Sequence, residues 1–222
     1  MIELADVRKA FNQGQHNELW AVRGVTVHLE ANRTTVLRGP SGSGKTTLMT
    51  LIGCLARPTS GRVRLHGRDV SGMTERFLTE LRRQTFGFVF QQFNLVRGLT
   101  VEENVMLPAY PLGVPRRDLL RRVHALLDTL DLGAHAQAKA EWLSGGQAQR
   151  AAIARALVND PEVILADEPT ANLDTELSQR FLDIVADLKR QGKTLIITSH
   201  DPLVYESPQV DRVVSLRDGH LA

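Results

Sequence analysis

Residues 163–166 run Val-Ile-Leu-Ala without a polar interruption, and residues 194–198 run Thr-Leu-Ile-Ile-Thr. Such runs predict strands buried on both faces, and the amphipathic stretch between them, about 175–190, predicts a helix. Strand, helix and strand in that order give neighbouring parallel strands in a covered sheet. Residues 1 to about 70 read differently. Short alternating runs such as 25–29 and 62–65, separated by turn residues, predict strands. One interruption there is rich in glycine: residues 39–44 lie between the apolar stretch 35–37 and a helical run from 45 to about 55. From about 73 to 157 the period changes, with Leu119, Val123, Leu126, Leu127 and Leu130 recurring at three and four, which predicts a mostly helical middle. Pro108, Pro111 and Pro115 precede that helix and predict an exposed loop around Tyr110.

Composition narrows the class without naming a function. The 222 residues are 42% hydrophobic and 23% charged, as in globular chains, and suffice to bury about 70% of the surface that the unfolded chain exposes. Basic and acidic residues nearly cancel, 27 against 25, so the global field supplies no drive towards nucleic acid, and no direct nucleic-acid binding is expected. Cys54 is the single cysteine and reads as a small core hydrophobe. The first eight residues alternate like a strand and lack the features of a secretory signal, so a cytoplasmic chain is expected. The longest apolar runs fall far short of the ~20 residues of a spanning helix, so any membrane role is expected to come through a partner. Arginine pairs at 82–83, 116–117 and 121–122 read as solvated helix faces.

The chemistry begins in the glycine-rich interruption. Gly39, Pro40, Ser41, Gly42, Ser43, Gly44, Lys45 and Thr46, with Thr47 following, fit G-x-x-x-x-G-K-S/T between a strand and a helix. Glycines let backbone N–H groups turn inward around a β-phosphate, and the helix N-terminus adds partial positive charge. Lys45 then reaches the β- and γ-phosphates, and the Thr46 hydroxyl is placed to ligate Mg²⁺. Asp167 and Glu168 follow directly on the run 163–166, at the sheet edge where open α/β proteins bind ligands. Asp167 is expected to hold the shell of the Mg²⁺, and Glu168 to orient or deprotonate the water that attacks the γ-phosphate.

A second anion site is written at residues 143–147, Leu-Ser-Gly-Gly-Gln, where Ser144, Gly145 and Gly146 open a helix with their N–H groups free. With this pentapeptide the sequence resembles the ABC ATPase family over essentially its whole length. The resemblance implies a head-to-tail homodimer, in which the phosphate loop of one subunit and Ser144, Gly145, Gly146 and Gln147 of the other close on one ATP. It also implies that Phe11 stacks on adenine, that Gln91 senses the γ-phosphate and Mg²⁺, that the loop at Asn172, Leu173 and Asp174 crosses between subunits, and that His200 contacts the γ-phosphate. The wording of residues 87–95, 99–105 and 165–170 and of the C-terminal Leu-Arg-Asp-Gly-His-Leu resembles the branch of lipoprotein-release and macrolide-export ATPases. That likeness implies transmembrane permease subunits as partners, with the chain peripheral on the cytoplasmic face of the membrane. Four positions depart from the family pattern. Asn32 and Arg33 stand where Gly-Glu is usual, Arg38 where a small apolar residue is common, and Ala148 where a polar residue follows the pentapeptide.

The expected architecture is therefore α/β: a phosphate-loop core with a parallel sheet over residues 1–85 and 157–222, an N-terminal antiparallel β layer, and a helical subdomain inserted at about 86–156. The expected activity is Mg-dependent ATP hydrolysis. An ABC ATPase that moves no solute and regulates a membrane-bound partner remains the alternative. A DNA-repair ATPase of the same superfamily would carry a long coiled coil, for which the chain has neither length nor heptads. A phosphate-loop kinase would have no use for residues 143–147.

Overall fold

A computed structural model describes residues 1–171 and 173–222. In chain order the regular elements are β1 (Ile2–Phe11), β2 (Leu19–Leu29), β3 (Thr34–Arg38), α1 (Lys45–Ile52), β4 (Ser60–Leu65), β5 (Arg68–Asp69), α2 (Glu75–Thr85), β6 (Phe86–Val89), α3 (Val101–Met106), α4 (Arg116–Thr129), α5 (Gly145–Leu157), β7 (Val163–Asp167), α6 (Thr175–Arg190), β8 (Thr194–Ser199), α7 (Pro202–Tyr205), β9 (Arg212–Arg217) and β10 (His220–Leu221). They form two sheets. An antiparallel sheet has the order β2-β1-β4-β5, and a larger sheet has the order β10-β9-β3-β8-β7-β6, parallel except for β10.

The uninterrupted apolar runs are explained by what covers them. Along β3, β7 and β8 successive side chains enter opposite cores: Val36, Ile164, Leu195 and Ile197 face one, Leu37, Leu165 and Ile196 the other. The first core continues into α3, α4, α5 and α6 through residues such as Val105, Val123, Ile153 and Phe181. The second holds α1, through Leu48, Leu51 and Ile52, against the inner face of the antiparallel sheet at Leu4, Val25 and Val63. The helix that opens at Lys45 is thus clamped between two sheets, and its N-terminus can move little. Among the described residues no helix is long and apolar enough to cross a membrane.

Three expectations are corrected. Phe86–Val89, assigned above to the helical insertion starting at about 86, is the edge strand of the parallel sheet, with Phe86 opposite Val163 and Val89 opposite Ala166. The reason lies at Gly87, where a Cβ would stand 2.3 Å from the Ala156 carbonyl oxygen: only glycine lets this strand approach the end of α5. The helical part therefore begins beyond Val89, and α5 packs both on α3 and α4 and on the sheet edge at β6. The proline cluster does not make an irregular loop either. Leu107–Leu112 is a 3-10 helix closed by Gly113 at φ 65°, with Ala109 buried and Tyr110 exposed. Proline tolerates the first turn of such a helix, where its missing N–H would have no partner. The helix after the glycine-rich loop ends at Ile52 on Gly53 rather than near Leu55.

Three of the unusual residues have structural causes. Asn32 has φ 57°, a left-handed turn that asparagine tolerates in place of glycine, and Arg33 pairs with Asp211 at 3.2 Å. Arg38 lies over the Tyr205 ring at 4.5 Å, joining the end of β3 to α7 by a cation–π contact.

Candidate functional site

The C-terminal edges of β3, β7 and β8 converge on one cleft. Between β3 and α1 the chain can take only the observed path because of two glycines. At Gly44, φ is 98° and a Cβ would lie 2.3 Å from the Ala21 carbonyl oxygen; at Gly39 a Cβ would lie 2.3 Å from that of Leu216. The loop so formed is pinned from outside by Gly219 N–H, which donates to Ser43 O at 3.1 Å, while the buried Ser43 hydroxyl has no partner within the protein. An orphaned buried hydroxyl beside a helix N-terminus is the chemistry expected of an anion cradle.

Lys45, only 6% exposed, donates from Nζ to the carbonyl oxygens of Gly39 at 2.8 Å and Pro40 at 3.1 Å, and stands 3.3 Å from Glu168 Oε1. The Thr46 hydroxyl donates to Asp167 Oδ1 at 3.0 Å, and Thr198 Oγ1 donates to the same oxygen at 2.6 Å. Glu168 turns out of the strand at φ 44°, and its N–H is held by Thr198 O at 3.1 Å and Thr198 Oγ1 at 2.9 Å. That turn separates the two acids. Asp167 faces Thr46, whereas Glu168 Oε2 meets His200 Nδ1 at 3.0 Å.

Lys45, Thr46, Thr47, Ser41, Gly42, Ser43 and Gly44 line a cleft of about 330 Å³ with Gln91, Glu168 and His200, and with Phe11, Leu19 and Ala21. Phe11 is 43% exposed there, with Lys9 Nζ over its ring 5.3 Å from the centroid. Phosphate donors and an exposed aromatic in one cleft suit a nucleotide. Thr46 and Asp167 converge as two hard oxygen ligands would for Mg²⁺. No group of three or more His, Cys, Asp or Glu occurs among the described residues, so an ion here would complete its shell from water and phosphate oxygens.

The sequence reading missed three residues. Thr198 is fully buried and touches both acids; its only signal was a hydroxyl closing an apolar run. Leu19 and Ala21 reach the cleft by way of the β1–β2 hairpin, which nothing in their own neighbourhood announces.

Ser144, Gly145, Gly146 and Gln147 are not in this cleft. They open α5 with a reciprocal cap, in which Ser144 Oγ accepts from Gln147 N at 3.4 Å and Gln147 Oε1 accepts from Ser144 N at 2.9 Å. Gly146 lies against Leu177 of α6, where a Cβ would be 2.7 Å from the leucine's Cδ2. Asp174 caps α6 through Leu177 N at 2.8 Å; Asn172, in the loop expected to cross between subunits, lies outside the described residues.

A second cavity of about 330 Å³ lies under the helical part. Phe86, Phe88 and Phe90 line it together with Pro108, Pro111 and Arg155. Phe88, in β6, and Phe90, just beyond its end, stack with centroids 5.9 Å apart.

Residues 22–171 match the family model described as ABC transporter. An uncharacterized ABC transporter ATP-binding protein of Thermotoga maritima is 43% identical over 221 residues, covering 100% of this chain and 93% of that protein. The macrolide export ATP-binding/permease protein MacB of Rhodospirillum rubrum is 44% identical over 100% of this chain, which spans only 34% of that relative's length. Among solved structures, the dimeric ABC transporter cassette MJ0796 superposes with a TM-score of 0.92 at 37% identity, over 100% of this chain and 96% of that one. A post-hydrolysis dimer of the same cassette bound to ADP and Pi superposes with a TM-score of 0.91 at 36% identity, with the same coverage. With the phosphate loop, the paired acids and the Ser-Gly-Gly helix start all in place on this fold, the chain belongs to the ABC transporter family.

Proposed function

We propose that this chain is the Mg-dependent ATPase subunit of an export-type transport complex, working as a head-to-tail homodimer on the cytoplasmic face of a membrane and driving a transmembrane permease. The observation that carries this reading is the separation of two phosphate-binding elements within one chain. The cleft at Lys45 is lined by none of Ser144, Gly145 and Gly146, which begin α5 elsewhere. A second copy, turned head to tail, brings its Ser144, Gly145 and Gly146 over the nucleotide held by the first.

Within each cleft the residues divide the work. The loop N–H groups and Lys45 bind the phosphates, Phe11 orients the base, and Glu168, beside Lys45, lies where the γ-phosphate end would come. Glu168 accepts a proton from the attacking water, while His200 fixes the carboxylate by its hydrogen bond. Thr46 and Asp167 would hold Mg²⁺, with Gln91 reaching towards the same end; bound there, the ion neutralises charge on the phosphate oxygens. Lys45 Nζ stands 3.3 Å from Glu168 Oε1, so the cation that binds the phosphates also neighbours the base.

The likeness to MacB supports the export reading, and the aromatic groove at Phe86, Phe88 and Phe90 is apolar enough to seat a short permease helix. Residues 91–97 and 108–115 border that docking surface. Light scattering on Glu168→Gln with and without Mg-ATP tests the shared site. An ATP-dependent dimer is expected; a monomer that binds ATP yet never pairs refutes it.

A further inference from the structure

Gln91 reaches the nucleotide cleft from the end of β6, and the chain must then leave the sheet for the helical part. It does so through two successive left-handed residues, Phe93 at φ 58° and Asn94 at φ 50°. Asparagine tolerates that region, but phenylalanine rarely enters it, so something outside the loop holds it there. Arg155, on α5, is placed to do so. Its Nη2 donates to Phe93 O and its Nη1 to Asn94 O, each at 2.5 Å, so that one planar fork grips two adjacent carbonyls. The far end of the loop is tied separately, Val96 exchanging hydrogen bonds with the buried Asn104 side chain at 2.7 and 3.1 Å.

Two features set Arg155 apart from an ordinary helix arginine. Among the described residues no carboxylate pairs with it, and burial lowers its pKa, so its charge is compensated by these carbonyl dipoles. It also lines the aromatic groove, and it stands on the helix that Ser144 opens. The loop after Gln91, the floor of the groove and the second phosphate-binding element therefore meet at one guanidinium.

We propose that Arg155 is a positioning residue for ATP hydrolysis: by fixing the left-handed pair at Phe93 and Asn94, it sets where Gln91 stands in the cleft. Its clamp also ties that placement to α5 and to whatever fills the groove. This rests on the ATPase reading above, and its test separates the two. Steady-state kinetics on the full chain compare wild type, Arg155→Ala, Gln91→Ala and the double variant, with melting temperatures alongside.

The expected result is a kcat about tenfold lower for Arg155→Ala, with KM for Mg-ATP within about twofold. The double variant should be no slower than Gln91→Ala alone, because both changes remove the same placement. Arg155→Lys keeps the buried charge and the fold but has no fork, and should lose most of the same kcat. Losses that multiply in the double variant overturn the proposal, as does a wild-type kcat in Arg155→Lys or in a folded Arg155→Ala. A wild-type chain that turns over no ATP overturns the ATPase reading and this inference with it.

Discussion

Replacing Thr198 by valine removes one oxygen from a site where that oxygen serves two masters. In the native chain its hydroxyl donates to Asp167 Oδ1 at 2.6 Å and accepts from Glu168 N at 2.9 Å, and the residue is fully buried. The Glu168 N–H keeps the Thr198 carbonyl at 3.1 Å in the variant, so that donor is not orphaned. Asp167 keeps Thr46 but loses a charge-assisted hydrogen bond in a buried place, a loss of about 1.5–3 kcal/mol. With a urea m-value of about 2–3 kcal/mol/M for a chain of this size, Thr198→Val should unfold at a midpoint lower by about 1 M. Thr46→Val supplies the contrast. Its side chain is exposed at the cleft, water can replace its hydroxyl at Asp167, and its stability should stay within about 0.5 kcal/mol of wild type. Both variants should bind Mg-ATP less well, read by calorimetric titration, so the pair dissociates fold from ligand. A Thr198→Val midpoint indistinguishable from wild type, or matched losses in the two variants, would refute the assignment of Thr198 as the buried brace of both acids.

Gly44→Ala sets a Cβ 2.3 Å from the Ala21 carbonyl at a left-handed φ, and should cost about 3 kcal/mol or more, whereas Gly42→Ala, with open space around it, should cost about 1 kcal/mol from φ alone. Thermal melts that rank the two equally contradict this. Burial pushes the Cys54 thiol up to about 11, against a weaker opposing pull from Arg82, so at pH 8 roughly one molecule in a thousand carries a thiolate. Iodoacetamide should therefore label the folded chain on the order of a hundredfold more slowly than the urea-unfolded chain, and equal rates would show an open thiol. Burial alone would raise the Asp211 carboxyl, but hydrogen bonds from Lys189 and Thr34 N–H, with Arg33 beside them, hold it below the usual carboxylate range. The stability it adds is thus complete above the unfolded pKa of about 3.9 and disappears as pH falls through the lower folded value. Asp211→Asn should be less stable than wild type by about 1–2 kcal/mol at pH 7, with the gap closing below about pH 4 in acid-denaturation series; a gap constant down to pH 2 would be inconsistent with this.

Most of what positions the cleft could be read along the chain because it is local. Runs 163–166 and 194–198 became β7 and β8, and the helix expected at 175–190 is α6. The phosphate loop was legible for the same reason: its glycines, lysine and threonine are consecutive, so chemistry and spacing arrive together. What escaped depends on distant partners. Phe-Gly-Phe-Val at 86–89 is too short to distinguish from helix by period, and only its pairing with β7 and the backbone of α5 passing Gly87 make it a strand. Thr198 matters because Asp167 ends the neighbouring strand in register with it, a fact of sheet order that no window of sequence contains. The left-handed pair at Phe93 and Asn94 follows the same logic, since Arg155 is some sixty residues away. Arg33, a departure from the usual pattern, acquired its reason only when Asp211 was brought beside it.

Lys45 and Ser144 stand in one polypeptide but, in the head-to-tail pair we propose, would serve different nucleotides. Damage to either is therefore inherited by sites and not by chains. A subunit carrying Lys45→Ala and another carrying Ser144→Arg each form homodimers with two broken sites, yet in their hybrid both lesions fall on the same nucleotide and the other site is whole. Random pairing of an equal mixture makes about half of all dimers such hybrids. Two alleles, each null alone, would then complement within a single cell, whereas two alleles that both lose Lys45 never could.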